Sequence, residues 1–242
     1  MPKMLISLNY LITGGAYLSC CLLRRHGVNY SKAARFMFFF GTAALLGGLV
    51  HHLERYEEPV VQFIQAVNAQ LPGFVKPFAF DMILNRLWFI TILCIGFAEF
   101  YFVYLFVEPI VDARLAFMKT WVKIALGTYC FITLFSTQYL VVVVFHVFSH
   151  VIIIAFSLYM FLARNVTQLL LLAFLALYNL AIGIMQQMMN HGALPTGPLH
   201  YNDWYHIGII VFIAAMHMIL TRGRLIESLA AMKPPVKHEG GE

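Results

Sequence analysis

Two groups of side chains in this sequence have types and spacings that could do chemistry. The first is dispersed along the chain: His51 and His52, then Asp81, then His200, Asn202 and His206. Imidazoles with a carboxylate nearby suit zinc, which in catalytic sites takes about three protein ligands and keeps a position open for water. Asn202 and His206 are four residues apart, the spacing that puts two side chains on one helix face. His51 and His52 point about 100° apart on a helix, so one of the two faces inward, and His52 is assigned to the site. On this reading the metal set is His52 and His206, completed by Asn202 or His200. Asp81 is then the catalytic carboxylate that orients the metal-bound water or carries its proton.

The second group is His146 and His150, also four apart. A pair at this spacing can ligate a metal, and a single such histidine can be an axial haem ligand. Hydrogen bonding to neighbouring helices is the plainer role for the same two rings. Glu99 is the one carboxylate in the middle of an apolar run. Proton transfer or ion coordination would explain it, as would pairing with an internal polar group such as Gln186 or His150.

The elements that must position these residues follow from composition. Of 242 residues, 61% are hydrophobic and only 11% charged, with a mean hydropathy of +0.79. A soluble domain has about a quarter of its residues charged, so most of this surface faces lipid. In hydrocarbon the backbone must satisfy its own hydrogen bonds, which leaves helices or a closed barrel, and these apolar runs do not alternate as barrel strands do. The chain is expected to be an all-α, seven-helix transmembrane bundle over 1–232. Its spans fall near 4–23, 34–53, 84–107, 121–136, 139–162, 166–188 and 204–221, the fourth being the shortest.

Orientation comes from Lys and Arg in the connections. With the N-terminus outside and the C-terminus cytoplasmic, twelve of the sixteen basic residues fall inside and four, Lys3, Arg55, Lys76 and Arg86, outside. That distribution accounts for the net charge of +5 without nucleic acid. In this topology the second, third and seventh spans bring the first group of residues to the outer face. His146 and His150 lie roughly 10 to 18 Å below it, at about 1.5 Å per residue.

The connection between the second and third spans carries Val60, Phe63, Ile64, Val67 and Leu71 at helical spacing. This is the pattern of an interfacial helix over about 59–71, or of a short helix in an ordinary loop. The tail 233–242, with Pro234, Pro235, Gly240 and Gly241, is expected to be disordered and cytoplasmic. The four cysteines show no CxxC spacing and read as small buried hydrophobes. The seventh span has no lysine for a retinal Schiff base. The first run has no small-residue cleavage site and reads as a span, which fits a bacterial inner membrane.

The segment HYNDWYHIG, His200 to Gly208, with a histidine closing the second span and an aspartate opening the third, resembles the superfamily of alkaline ceramidases, adiponectin-type receptors and GPI-remodelling membrane proteins. The resemblance implies a seven-helix, hydrolase-like fold in which two histidines of the last helix and one of the second hold zinc. Here Asp203, Trp204, Tyr205 and His206 resemble the second half of the family's last-helix motif, and Asn202 stands where its first histidine would be. Gly48 occupies the position of the family's serine one turn before His52. Asp81, ahead of Asn85, Arg86, Leu87 and Trp88, resembles the family aspartate. The departures at Asn202 and Gly48 leave open a repurposed or inactive member, or a metal shell that uses His200 or the Asn202 oxygen.

The leading expectation is therefore an integral membrane, zinc-dependent hydrolase of a lipid amide or ester, with membrane lipids as its partners. The alternatives are a subunit of a membrane redox complex bearing haem b on His146 or His150, and a non-catalytic receptor or scaffold. Homo-oligomer and complex subunit are both open.

Overall fold

A computed structural model describes residues 3–72, 77–110, 116–136, 138–164, 167–222 and 225–227. Lys76, Arg114, Arg224 and the tail 233–242, used above for orientation and domain limits, lie outside the described residues.

Every regular element among the described residues is helical. In chain order these are α1 (Lys3–Arg25), α2 (Ser31–Arg55), α3 (Glu57–Asn68), α4 (Phe80–Ile110), α5 (Ala116–Phe135), α6 (Tyr139–Arg164), α7 (Thr167–Asn190) and α8 (Tyr201–Thr221). A 3₁₀ turn, Val28–Tyr30, leads into α2. In α3, Glu57 and Glu58 in the first turn complement the helix dipole, and Pro59 sits where its missing N–H is not needed.

Six helices among the described residues, α1, α2, α4, α6, α7 and α8, are long and apolar enough to cross a membrane. The expected fourth span, 121–136, falls in α5, which is not one of the six. Lys119, Thr120 and Lys123 in its first half dilute its apolar character.

The six form a closed ring. α1 packs on α2, α2 on α4, α4 on α6, α6 on α7, α7 on α8, and α8 returns to α1. α5 lies outside the ring, chiefly against α4. Its seam is tight because Gly96 of α4 lets the Tyr129 ring rest directly on the helix backbone. The Tyr129 hydroxyl donates to the Ile92 carbonyl at 2.7 Å.

Side-chain pairs give the helix directions. Asn9 meets His206 at 3.2 Å and Ser19 meets His217 at 2.7 Å, so α1 and α8 run parallel. The start of α1 and the end of α8 therefore lie at opposite ends of the bundle. α4 and α6 are also parallel, since Ile92 packs with Val142, Glu99 pairs with His146 and Phe102 contacts His150. α5 runs antiparallel to α4, with Tyr129 at Ile92 and the Lys123 amine 6.0 Å from the Tyr104 ring centre.

One half of the ring is filled. Phe36, Phe102 and Phe212, each under 2% exposed, meet at its centre. Phe36 stacks on Phe102 at 5.1 Å, and Phe212 presents itself edge-on to both at 6.4 and 6.0 Å. The other half holds a cavity.

Candidate metal centre

The cavity has a volume of about 640 Å³ and is walled by all six ring helices and by none of α5. It extends from Glu99 and His146 to His51 near the end of α2 and His191 just past α7. From Trp88 to Glu99, both in its wall, is about 16 Å along α4 at about 1.5 Å per residue.

At its inner end stand Glu99 of α4 and His146 and His150 of α6. One ligand atom from each lies within 4.8 Å of the other two, and among the described residues this is the group of three such side chains gathered to metal-ligand spacing. The i, i+4 spacing puts both imidazoles on the α6 face toward α4, with ring centres 4.0 Å apart. The parallel register of α4 and α6 then sets Glu99 against them. Glu99 Oε1 accepts a hydrogen bond from His146 Nδ1 at 2.7 Å, and Oε2 is 3.5 Å from His150 Nδ1.

Glu99 and His150 are buried, at 5% and 0% exposure, while His146 reaches the cavity. An isolated carboxylate at such a position costs several kcal/mol unless it is paired or bound to a cation. His150 Nδ1 also lies 2.9 Å from the His146 carbonyl, and its Nε2 faces the Asn179 amide nitrogen at 2.8 Å. Since Asn179 Nδ2 only donates, this arrangement makes Nε2 the acceptor and puts the ring proton on Nδ1. Three buried side-chain oxygens among the described residues have no hydrogen-bond partner: Glu99 Oε2 and Asn179 Oδ1 at this centre, and Asp203 Oδ1 at the start of α8.

The residues expected at the outer face are disposed differently. His206 reaches the cavity wall, but its Nδ1 lies 2.6 Å from the Asn202 carbonyl and its Nε2 3.2 Å from Asn9 Oδ1. Asn202 Oδ1 accepts from Gln186 Nε2 at 2.6 Å. His200 caps α8, accepting from the Asn202 backbone N–H in a reciprocal capping box with Asp203. His52 is exposed beside Tyr10 and Tyr56, and it is His51 that lines the cavity. Asp81 is exposed in the first turn of α4. Gly48, at the family's serine position, faces Asn9, whose Cβ would lie 3.0 Å from any Cβ added there.

Sequence reasoning overlooked Asn9 and Asn179. Both are carboxamides within apolar runs, and the cost of burying an amide in hydrocarbon was the available signal. That reasoning offered Gln186 or His150 as partners of Glu99; the helix register brings both His146 and His150 to it, and Gln186 pairs with Asn202 instead.

Comparison of the chain with protein-family models, with curated proteins and with solved structures returns no match.

Proposed function

We propose that this chain is a seven-crossing membrane metalloenzyme, a zinc-dependent hydrolase of a lipid amide or ester, with its metal on Glu99, His146 and His150. The observation that carries this reading is the gathering of those three side chains at the end of a cavity inside an apolar ring. Two histidines and a glutamate are a zinc set used in hydrolysis, and the cavity leaves room for the water that such a metal activates.

The orphaned oxygens of Glu99 and Asn179 support the assignment. Turning the Asn179 carboxamide exchanges its oxygen and nitrogen, an exchange ordinary structural data scarcely distinguish. Oδ1 then accepts a hydrogen bond from the His150 Nε2–H, and His150 Nδ1 exchanges its 2.9 Å hydrogen bond to the His146 carbonyl for a lone pair on the side of Glu99 Oε2. Glu99 and His150 would then both be free to hold a metal. Asn179 thereby becomes the outer partner that fixes the ligand tautomer.

Bound zinc supplies a water of lowered pKa and polarises the substrate carbonyl. The chain's own contribution is to hold the other polar groups of the substrate. Gln186, Asn202 and His206 offer hydrogen bonds along the cavity wall, and the phenylalanine plug closes the end behind the metal. In this reading the outer histidines bind substrate rather than metal.

Seven crossings rather than six are supported by helix direction, and the N-terminus is placed outside by the distribution of Lys and Arg. If α4 and α6 both cross the membrane in the same sense, the chain must return between them, and α5 runs back along α4. The parallel α1 and α8 likewise call for an odd number of crossings.

Elemental analysis of the purified protein tests the centre. Wild type and the variants His52→Ala and His206→Ala are expected to carry about one zinc per chain, and His146→Ala and Glu99→Gln to lose most of it. A wild type without metal, or a zinc content that ignores His146→Ala, sinks the proposal.

A further inference from the structure

We propose that Lys32, Arg35 and Lys123, gathered over Tyr101 and Tyr104 where α2 and α5 flank α4, form a site for the phosphate of an anionic phospholipid. None of these five residues lines the cavity, so the site stands whether or not the cavity holds a metal.

Two helices bring the cations to α4. Lys32 and Arg35 stand in the first turns of α2 and Lys123 in the second turn of α5, and both stretches lie beside the last third of α4. Lys32 Nζ is 5.4 Å from the centre of the Tyr104 ring, and Lys123 Nζ is 6.0 Å from the same centre. Arg35 lies 5.6 Å from the Tyr101 ring centre, and its Nη1 donates to the Tyr101 hydroxyl at 3.4 Å. Aromatic faces attract such cations. Gathering three of them on two rings also brings like charges together, and these repel. A shared anion turns that repulsion into attraction. Arg35 supplies a planar fork of donors and the lysines supply mobile point charges, which together suit phosphate. The Tyr101 hydroxyl, accepting from Arg35, keeps its own proton to donate.

The depth is that of a membrane surface. Tyr101 and Tyr104 close the apolar stretch Phe80–Leu105, and Lys32 and Arg35 open the stretch Val28–Arg55. Tyrosine is enriched at this level, and the distribution of Lys and Arg makes it the cytoplasmic end, where bilayers carry anionic lipids. From the cations toward the membrane middle runs an aromatic wall. Phe39 stacks on Tyr101 at 5.7 Å and on Phe97 at 5.1 Å, and Phe100 stacks on Tyr104 at 5.2 Å. Phe38, 42% exposed and in contact with Phe39, carries this wall out to the lipid. A phosphate held by the cations therefore has an apolar surface beneath it for acyl chains, which a soluble phosphate leaves unused.

Charge selects the headgroup. From Tyr101 to Lys123 the sequence has two acids, Glu108 and Asp112, against Arg114, Lys119 and Lys123, and Lys32 and Arg35 add to the positive excess. The side chains of Glu108 and Asp112 lie outside the described residues. A headgroup with its own amine would bring a further cation into the cluster, so the fit is to a phosphatidylglycerol rather than to a phosphatidylcholine.

The test titrates the full chain in detergent with each of these two lipids and counts bound lipid by native mass spectrometry. Phosphatidylglycerol is expected to bind about tenfold more tightly. Lys32→Gln with Lys123→Gln should bring it down to the phosphatidylcholine value. Arg25→Gln with Arg222→Gln, an equal change of charge at the same end of the bundle beside α1 and α8, should leave the preference intact. Tyr101→Leu with Tyr104→Leu keeps every charge, removes the rings that gather them, and should abolish most of the preference. Lys123→Gln alone, on an exposed side chain, guards against a loss of folding and should give an intermediate value. Excess soluble glycerol phosphate should not displace the lipid.

Equal binding of the two lipids, a preference lost as fully in the Arg25 and Arg222 pair, or displacement by glycerol phosphate overturns the proposal. Glu108→Gln should keep or strengthen phosphatidylglycerol binding. Weaker binding in that variant would mean that the cations are organised for the carboxylate, and it overturns the proposal too.

Discussion

Glu99 Oε1 accepts a 2.7 Å hydrogen bond from His146 Nδ1, joining α4 to α6. Breaking a buried pair by removing one partner strands the other, at a cost of about 3 kcal/mol. His146→Ala should therefore destabilise the protein by about that amount, and Glu99→Gln by less, since glutamine carries no charge. The double variant should be more stable than the sum of the two losses implies, by about 1 kcal/mol or more. Thermal unfolding of the four proteins in detergent, with zinc removed by chelation, measures the coupling. Strict additivity would mean that the pair is a geometric coincidence.

The α4–α5 seam should be sensitive to a single methyl. Gly96→Ala drives a Cβ into the Tyr129 ring, and such overpacking costs about 1–3 kcal/mol. Tyr129→Phe removes only the hydroxyl bond to Ile92, worth about 1 kcal/mol. Unfolding midpoints should rank wild type, then Tyr129→Phe, then Gly96→Ala. An unchanged midpoint for Gly96→Ala would show that α5 is not held there.

Helix direction predicts which ends are reached together. In a chain stripped of native cysteines, single cysteines at His26 and Arg222 should react with a membrane-impermeant thiol reagent from one side. One at Gly192 should react from the other. If His26 and Arg222 label from opposite sides, the parallel packing of α1 and α8 is wrong.

Asn202→Leu should separate the two polar groups. It leaves the Gln186 amide, 9% exposed, without its 2.6 Å acceptor, at about 1–2 kcal/mol. Zinc content should stay at the wild-type level. A parallel loss of zinc would instead return Asn202 to the metal shell.

How much of this was readable in the sequence follows from what each feature depends on. The long apolar runs answer to the hydrocarbon alone, so they appear in the chain without any knowledge of neighbours. The i, i+4 pairing of His146 with His150 is likewise local. The third member of that group is not. Glu99 meets His146 only because α4 and α6 are parallel and in one register, a relationship of two helices distant in the chain that pack directly on each other. Adjacent histidines posed the same problem: His51 rather than His52 lines the cavity because the rotation of α2 is set by its contacts with α1 and α4. The weak point at α5 was visible beforehand as the shortest run, and Lys119 and Lys123 are the reason.

The seam between α1 and α8 bears on how the protein is made. It joins α1 to α8, so during synthesis the ring stays open on that side until α8 leaves the ribosome. Glu99, His146, His150 and Asn179 lie on helices produced earlier. The polar centre can therefore assemble while the wall beside it is still missing, and the Asn9–His206 and Ser19–His217 contacts shut the bundle afterwards. A chain truncated before α8 would keep the centre and lose the enclosure.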